Sequence, residues 1–209
     1  MGGLYRLAVI DDDAAVRQAL IWLLEGQGYA VEGFESGEVF FEAPAQAVFN
    51  ALIVDLRLSG MTGLMLLERL AERPYVPPAI MLTAHGDVPH AVAAFKRGVL
   101  DFLEKPFDDD RLIQLVAEAV ERDRQARERH AHRARIRQGL ALLTEREREV
   151  MQWILAGRLN KQIAEELSIS MKTVEVHRAR VFEKMNVKSA VELAGLMAGW
   201  QTDDMAGKP

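Results

Sequence analysis

The sequence contains no cysteine, which excludes disulfides, thiolate metal sites and cysteine nucleophiles. No apolar run reaches the roughly 18 residues needed to cross a bilayer. The opening Met-Gly-Gly-Leu-Tyr-Arg has neither the apolar core nor the cleavage site of a secretory signal, and Arg6 stands where N-myristoylation requires Ser or Thr. No membrane contact and a cytoplasmic location are expected. Residues 110–139 lack proline and carry glycine only at Gly139. That disfavours a flexible tether and predicts a charged helix laced with i,i+4 pairs.

What is present divides the chain. Its 209 residues suffice for two small domains, each with its own core. The net charge of −5 is unevenly shared, with net −10 over residues 1–121 and net +5 over residues 122–209. An acidic half joined to a basic half points to different partners for the two.

The first 120 or so residues alternate short apolar runs with amphipathic stretches. Leu4–Ile10, Ala30–Phe34, Ala51–Asp55, Ala79–Thr83 and Asp101–Glu104 read as strands. Helices are predicted over Ala14–Gly26, around Glu38–Glu42, over Gly63–Arg73, from Asp87 or Val88 to Arg97, and onward from near Asp108. Asp13 is the expected N-cap of the first. Five βα units in series argue for a doubly wound α/β fold with a five-stranded parallel sheet.

In the flavodoxin-like order 2-1-3-4-5, strands one and three are neighbours, and ligands gather at the carboxyl ends of the strands. Asp11, Asp12 and Asp13 follow strand one, Asp55 ends strand three, Thr83 ends strand four and Lys105 follows strand five. Converging carboxylates repel, and a hard cation with oxygen ligands, such as Mg2+, relieves that repulsion. Asp55 is then the candidate nucleophile toward a phosphoryl donor. Mg2+ and the Lys105 ammonium would neutralise charge on the transferred group, and the Thr83 hydroxyl could bond a phosphoryl oxygen.

Ile10-Asp-Asp-Asp13, Val54-Asp-Leu-Arg-Leu-Ser-Gly-Met-Thr-Gly63, Thr83-Ala-His-Gly-Asp87 and Asp101-Phe-Leu-Glu-Lys-Pro-Phe107 resemble the receiver-domain motifs of two-component response regulators. The resemblance covers about residues 4–122. It implies that Asp55 is the phosphoacceptor, and that Asp11 and Asp12 form the acidic pair, with Asp12 a direct metal ligand. It further implies the Arg57 backbone carbonyl as third protein ligand, Thr83 and Phe102 as the switch pair, and Lys105 as the phosphate-binding lysine. The Lys105–Pro106 bond is often cis in such domains. Ser59 stands where the family usually has proline, a departure that removes no chemical group. His85 reads as a loop residue.

The remainder reads as all helix. Thr144-Glu-Arg-Glu147 is a capping box, Asn160 is the expected cap of a second helix, and Ser170 that of a third running to about Met185. A fourth is expected from Ser189 to Trp200. Two helices around a short turn, the second carrying basic residues, suit a major-groove reader. On the third helix Val174, Val181 and Met185 share one stripe; Lys172, Glu175, Val176, Ala179 and Glu183 point away, with Thr173 and Arg180 on the flank. Val176 beside Ala179 fits a thymine methyl, and Glu175 could accept from a cytosine amino group or serve as an exposed pairing charge. Lys172, Arg178, Arg180, Lys184 and Lys188 would mostly hold phosphates, and Asn160, Lys161 and Thr173 complete the DNA-contact candidates. His177, near the core face, reads as structural.

Leu143-Thr-Glu-Arg-Glu-Arg-Glu-Val150, Asn160-Lys-Gln-Ile-Ala-Glu-Glu-Leu167, Thr173-Val-Glu-Val-His-Arg-Ala-Arg180 and Lys184-Met-Asn-Val-Lys-Ser189 resemble the LuxR-type output domain of FixJ/NarL response regulators. Ala179 stands where some members place a basic residue on bases.

The expected organisation is a receiver domain at 4–122, a charged helical linker at 123–139, a LuxR-type helix-turn-helix domain at 140–200 and a disordered tail at 201–209. The resemblances imply a transcription regulator and not a turnover enzyme. A sensor histidine kinase would phosphorylate Asp55, a receiver homodimer would follow, and paired recognition helices would read half-sites on double-stranded promoter DNA about one turn apart. A magnesium phosphohydrolase using Asp55 would need a general acid and a substrate cap, neither of which is apparent. A constitutive dimerisation module acting without phosphate is opposed by the complete acidic pocket.

Overall fold

The computed structural model describes residues 5–43, 49–73, 75–84 and 99–204. The helix expected between Asp87 and Arg97, and His85, lie outside the described residues. The chain divides into two compact units, Met1–Arg127 and Glu128–Pro209.

In the first unit, β1 (Arg6–Ile10), β2 (Ala30–Phe34), β3 (Ala51–Asp55), β4 (Ala79–Thr83) and β5 (Val99–Glu104) form one sheet. All neighbours are parallel and the order is β2-β1-β3-β4-β5, as the serial βα pattern implied. β5 starts two residues before the expected Asp101, because Val99 is also buried and pairs with Ala79.

Side chains alternate across each strand, and both faces are covered. On one face Ala8, Ile10, Leu52, Val54 and Met81 meet α2 (Gly37–Glu42) and α3 (Gly63–Ala71) through Phe40, Leu66, Leu67 and Leu70. On the other, Leu7, Val9, Ile53, Ile80 and Leu82 meet α1 (Ala14–Glu25) through Leu20 and Leu24. They also meet the start of α4 (Asp109–Leu142) through Leu112, Leu115, Val116 and Ala119. Each such Val, Leu, Ile, Phe or Met side chain contributes about 1.5–3 kcal/mol. The central strand β3 is buried throughout, so its last residue, Asp55, is delivered to the rim of a rigid sheet.

Helix starts follow from local chemistry. Asp13 accepts from the Ala15 and Val16 N–H groups, Ser36 caps α2 and Thr62 caps α3. Gly63 opens α3 against β3: a Cβ there would lie 2.3 Å from the Asp55 backbone oxygen. Only glycine permits that approach.

Helix α4 carries surface ion pairs Arg122–Glu118 and Arg124–Glu121, and also a charge at no exposure, Asp123. The Asp123 carboxylate accepts from Asn50 Nδ2 at 2.8 Å, Arg127 Nε at 2.7 Å and the Tyr75 hydroxyl. Burial, and then the Asp123 carboxylate, push the Tyr75 hydroxyl above its ordinary pKa, so it remains a donor. Arg127 also donates to the Phe49 carbonyl at 2.8 Å and lies over the Tyr75 ring. This polar cluster ties α4 to the segments leading into β3 and β4.

The second unit contains α5 (Glu145–Leu155), α6 (Asn160–Glu166), α7 (Met171–Met185) and α8 (Ala190–Asp204) around a single core. Val150, Met151, Ile154, Ile163, Val174, Val181, Met185, Leu193 and Met197 fill it, together with Ile136. The capping box at Thr144 and Glu147 forms as expected. Asn160 is the first helical residue of α6 and not its cap: Leu159 holds the N-cap position, and the Gln162 side chain accepts its N–H at 3.0 Å. Ser170 caps α7, and Asn186 ends it in the left-handed region with φ 51°. Helical backbone continues through Asp204, into the segment expected to be disordered, since no proline or glycine intervenes between Trp200 and Asp204.

Candidate functional site

Three carboxylates meet at the carboxyl ends of β1 and β3. One oxygen from each of Asp11, Asp12 and Asp55 lies within 4.8 Å of the others. Adjacency of β1 and β3 brings them together, because Val9↔Ile53 and Ile10↔Val54 are register pairs, and Asp11 and Asp55 follow directly. Asp11 is fully buried and Asp55 nearly so, whereas Asp12 is exposed.

Each carboxylate is oriented by a backbone N–H. Asp13 N donates to Asp11 Oδ1 at 2.9 Å, Arg57 N to Asp55 Oδ1 at 2.9 Å and Ser59 N to Asp12 Oδ2 at 3.0 Å. Arg17 fixes the same turn by donating to the Asp11 carbonyl at 2.6 Å. The Lys105 ammonium donates to Asp11 Oδ2 at 2.8 Å and to Asp55 Oδ2. Lys105 directly follows β5, and the Lys105–Pro106 bond after it is cis.

The electrostatics follow from this placement. Burial pushes the Asp11 carboxyl above its ordinary value, against the pull of Lys105. Burial also acts to lower Lys105, but hydrogen bonds and charge from Asp11 and Asp55 outweigh it and leave the ammonium held above its usual range. Asp12 lies below its ordinary value, chiefly through the Ser59 hydroxyl. Three hard oxygen donors beside a fixed cation fit a divalent metal such as Mg2+.

Thr83 ends β4 with its hydroxyl donating to the Ala84 carbonyl at 3.2 Å. Phe102 pairs in register with Met81 and is half-buried against the core on the α2 and α3 face. Arg57 is exposed, its N–H engaged by Asp55. The pocket thus gathers Asp11, Asp12, Asp55 and Lys105, with Ser59 as a member the sequence did not mark as chemical. Its proline-to-serine departure was visible, but the two bonds to Asp12 exist only once the β3–α3 loop is folded.

In the second unit the candidates separate by exposure. Lys161, Lys172, Glu175, Val176, Ala179, Arg180 and Lys188 are exposed; Asn160 and Thr173 are half-buried, and Thr173 Oγ1 lies 2.8 Å from Ser170 Oγ. Arg178 is half-buried with its guanidinium over the Phe182 ring, and burial lowers its pKa. Lys184 turns inward: its ammonium donates to Glu147 Oε2 at 2.6 Å. Glu147 is almost fully buried, and its carboxyl is held at about 2, since Lys184 and Thr144 overcome the upward push of burial. That engagement takes Lys184 away from the exposed face, a placement helical periodicity could not supply. His177 packs toward the core with Nδ1 buried and lacking a hydrogen-bond partner among the described residues. Among the described residues, no helix is long and apolar enough to cross a membrane.

Comparison with known proteins agrees with both halves. Residues 7–117 match the response regulator receiver domain, and residues 141–197 match the bacterial regulatory proteins of the luxR family. The transcriptional regulatory protein FixJ of Bradyrhizobium diazoefficiens is 42% identical over 188 residues, covering 90% of this chain and 92% of that protein. The solved structure of the response regulator StyR matches with a TM-score of 0.86 and 35% identity, covering 94% of this chain and 99% of the other. Full-length FixJ from B. japonicum matches at 40% identity with a TM-score of 0.59, covering 93% and 96%. Receiver domains bind Mg2+ at their acidic pocket, and the family comprises transcription regulators, not turnover enzymes. The chain belongs to the two-component response regulators of the FixJ family, with a receiver domain and a LuxR-type DNA-binding domain.

Proposed function

We propose that this regulator is switched by phosphoryl transfer to Asp55 from the phosphohistidine of a sensor histidine kinase, in the cytoplasm where its DNA lies. The observation that carries the reading is the meeting of Asp11, Asp12 and Asp55 with the Lys105 ammonium. An Asp55 carboxylate oxygen attacks phosphorus; its P–O bond forms as the P–N bond breaks, and the leaving imidazole keeps the electron pair. Lys105 neutralises charge on the transferred group, and the Arg57 N–H holds the other Asp55 oxygen. Asp11, Asp12, Asp55 and the Arg57 carbonyl would hold Mg2+, which when bound would supply charge neutralisation for the transferred group.

The phosphoryl group then offers the Thr83 hydroxyl a stronger acceptor than the Ala84 carbonyl it now uses. Thr83 moves toward it, Phe102 repacks inward, and the altered surface favours a receiver homodimer. Two copies of α7 then read promoter half-sites, Val176 and Ala179 facing bases and Lys172, Arg180 and Lys188 facing phosphates. Residues 4–122 serve as receiver, 123–139 as linker and 140–200 as DNA reader in this scheme.

Coupling of this kind is worth about 1–3 kcal/mol, or roughly 5- to 150-fold in operator affinity. DNA binding measured with and without beryllofluoride and Mg2+ tests it: the wild type gains affinity and dimerises, and Asp55→Asn does neither. An equal gain in Asp55→Asn would refute the proposal.

A further inference from the structure

The acidic pocket contains one pairing that the receiver pattern does not supply. Asp12 Oδ2 accepts two hydrogen bonds from Ser59, one from its N–H at 3.0 Å and one from its hydroxyl at 2.5 Å. A proline at this position has neither a backbone N–H nor a hydroxyl, so it could make neither bond. We propose that Ser59 is a positioning residue for the metal site: by holding one oxygen of Asp12, it keeps the other directed at the cation.

The loop that carries Ser59 is fixed independently of Asp12. Leu56 N donates to the Leu82 carbonyl at 2.8 Å, and Gly63 N to the Leu56 carbonyl at 3.1 Å. Met61 N donates to Glu38 Oε1 at 3.0 Å, Leu58 is buried, and Gly60 turns the chain with φ 82°. Ser59 therefore presents its donors from a pinned frame. Asp11 and Asp55 need no such help, because burial and Lys105 already confine them. Asp12 is the exposed member of the trio, and an exposed carboxylate samples several rotamers unless something holds it. Partners that orient a ligand in this way typically govern metal affinity by about 10- to 100-fold.

The inference rests on the reading of the pocket as a Mg2+ site, and the two fail in different ways. Mg2+ titrated calorimetrically into the full-length unphosphorylated protein gives the dissociation constant directly. Ser59→Ala, which loses the hydroxyl, is expected to weaken Mg2+ binding roughly 10-fold, and Ser59→Pro, which loses both bonds, further still. Ser59→Thr, which keeps both donors, restores binding close to the wild type. Thermal midpoints without Mg2+ stay unchanged between the wild type and the Ala and Thr variants, which separates positioning from folding. If Ser59→Pro misfolds, the Ala and Thr pair still decides. Equal or tighter Mg2+ binding by Ser59→Ala overturns the inference while leaving the pocket reading intact. Absence of Mg2+ binding by the wild type overturns both.

Discussion

In the first unit the candidate site gathers two buried carboxylates, a half-buried lysine and one exposed carboxylate from separate strand ends, whereas in the second the candidates are mostly exposed side chains along one helix. Asp11 and Asp55 are out of solvent and share Lys105, so each depends on the others for compensation. On α7, Lys172, Glu175, Val176, Ala179 and Arg180 are each exposed in their own right. The difference teaches where function and stability are entangled. Converging buried charges cannot be altered without changing the energetics of the fold around them, while exposed side chains of a helix face can be altered with little effect on stability.

Each unit nevertheless contains a counterexample to its own rule, and these sharpen the contrast. Asp123 is a buried charge in the first unit that is no member of the carboxylate pocket and ties α4 to the segments leading into β3 and β4 through Asn50, Tyr75 and Arg127. Asp123→Ala leaves those donors facing an emptied site and is expected to cost about 3–5 kcal/mol, measured by urea unfolding of the first unit's transition. A loss below about 1 kcal/mol would mean that the network is solvated in practice.

Glu147 and Lys184 are the corresponding pair in the second unit. Lys184→Met is expected to cost about 1.5–3 kcal/mol, less than Asp123→Ala because the lysine remains partly solvated. The pair also predicts a pH dependence. The folded Glu147 carboxyl titrates at about 2 against an ordinary 4.5, so its contribution is complete above pH 4.5 and is lost as pH falls through about 2. Acid unfolding followed at the tryptophans of the second unit, Trp153 and Trp200, should be steeper between those values in the wild type than in Lys184→Met. Coincident curves would remove Glu147 from the account.

The smallest effect on stability belongs to the exposed face. Lys172→Ala is expected to change stability by no more than about 0.5 kcal/mol. It should weaken DNA binding nearly uniformly across sequences and reduce the slope of log affinity against log salt by about 1. A selective loss on one operator sequence would instead assign Lys172 to a base.

Legibility followed range. Strand ends, helix caps at Asp13 and Thr144, and the exposed stripe of α7 were readable because each depends on neighbours within a few positions. The pocket was readable because residue types at four strand ends matched one chemistry. Lys184 and Asp123 were not, since each lies in a charged stretch where a solvated side chain is the ordinary expectation and its partner is 37 or 48 residues away. Ser59 was visible as a departure from the proline pattern, but its consequence needed the loop's geometry.

Short apolar runs, the helically spaced stretches between them, and the polar residues that punctuate both are local quantities, and they sufficed for a doubly wound parallel sheet followed by a helical unit. Which charges are removed from water, and which groups compensate them, was decided only by tertiary packing. Desolvation and hydrogen bonding depend on atoms that the chain brings together from far apart. That is why Asp12 is held by Ser59, Glu147 by Lys184 and Asp123 by Tyr75.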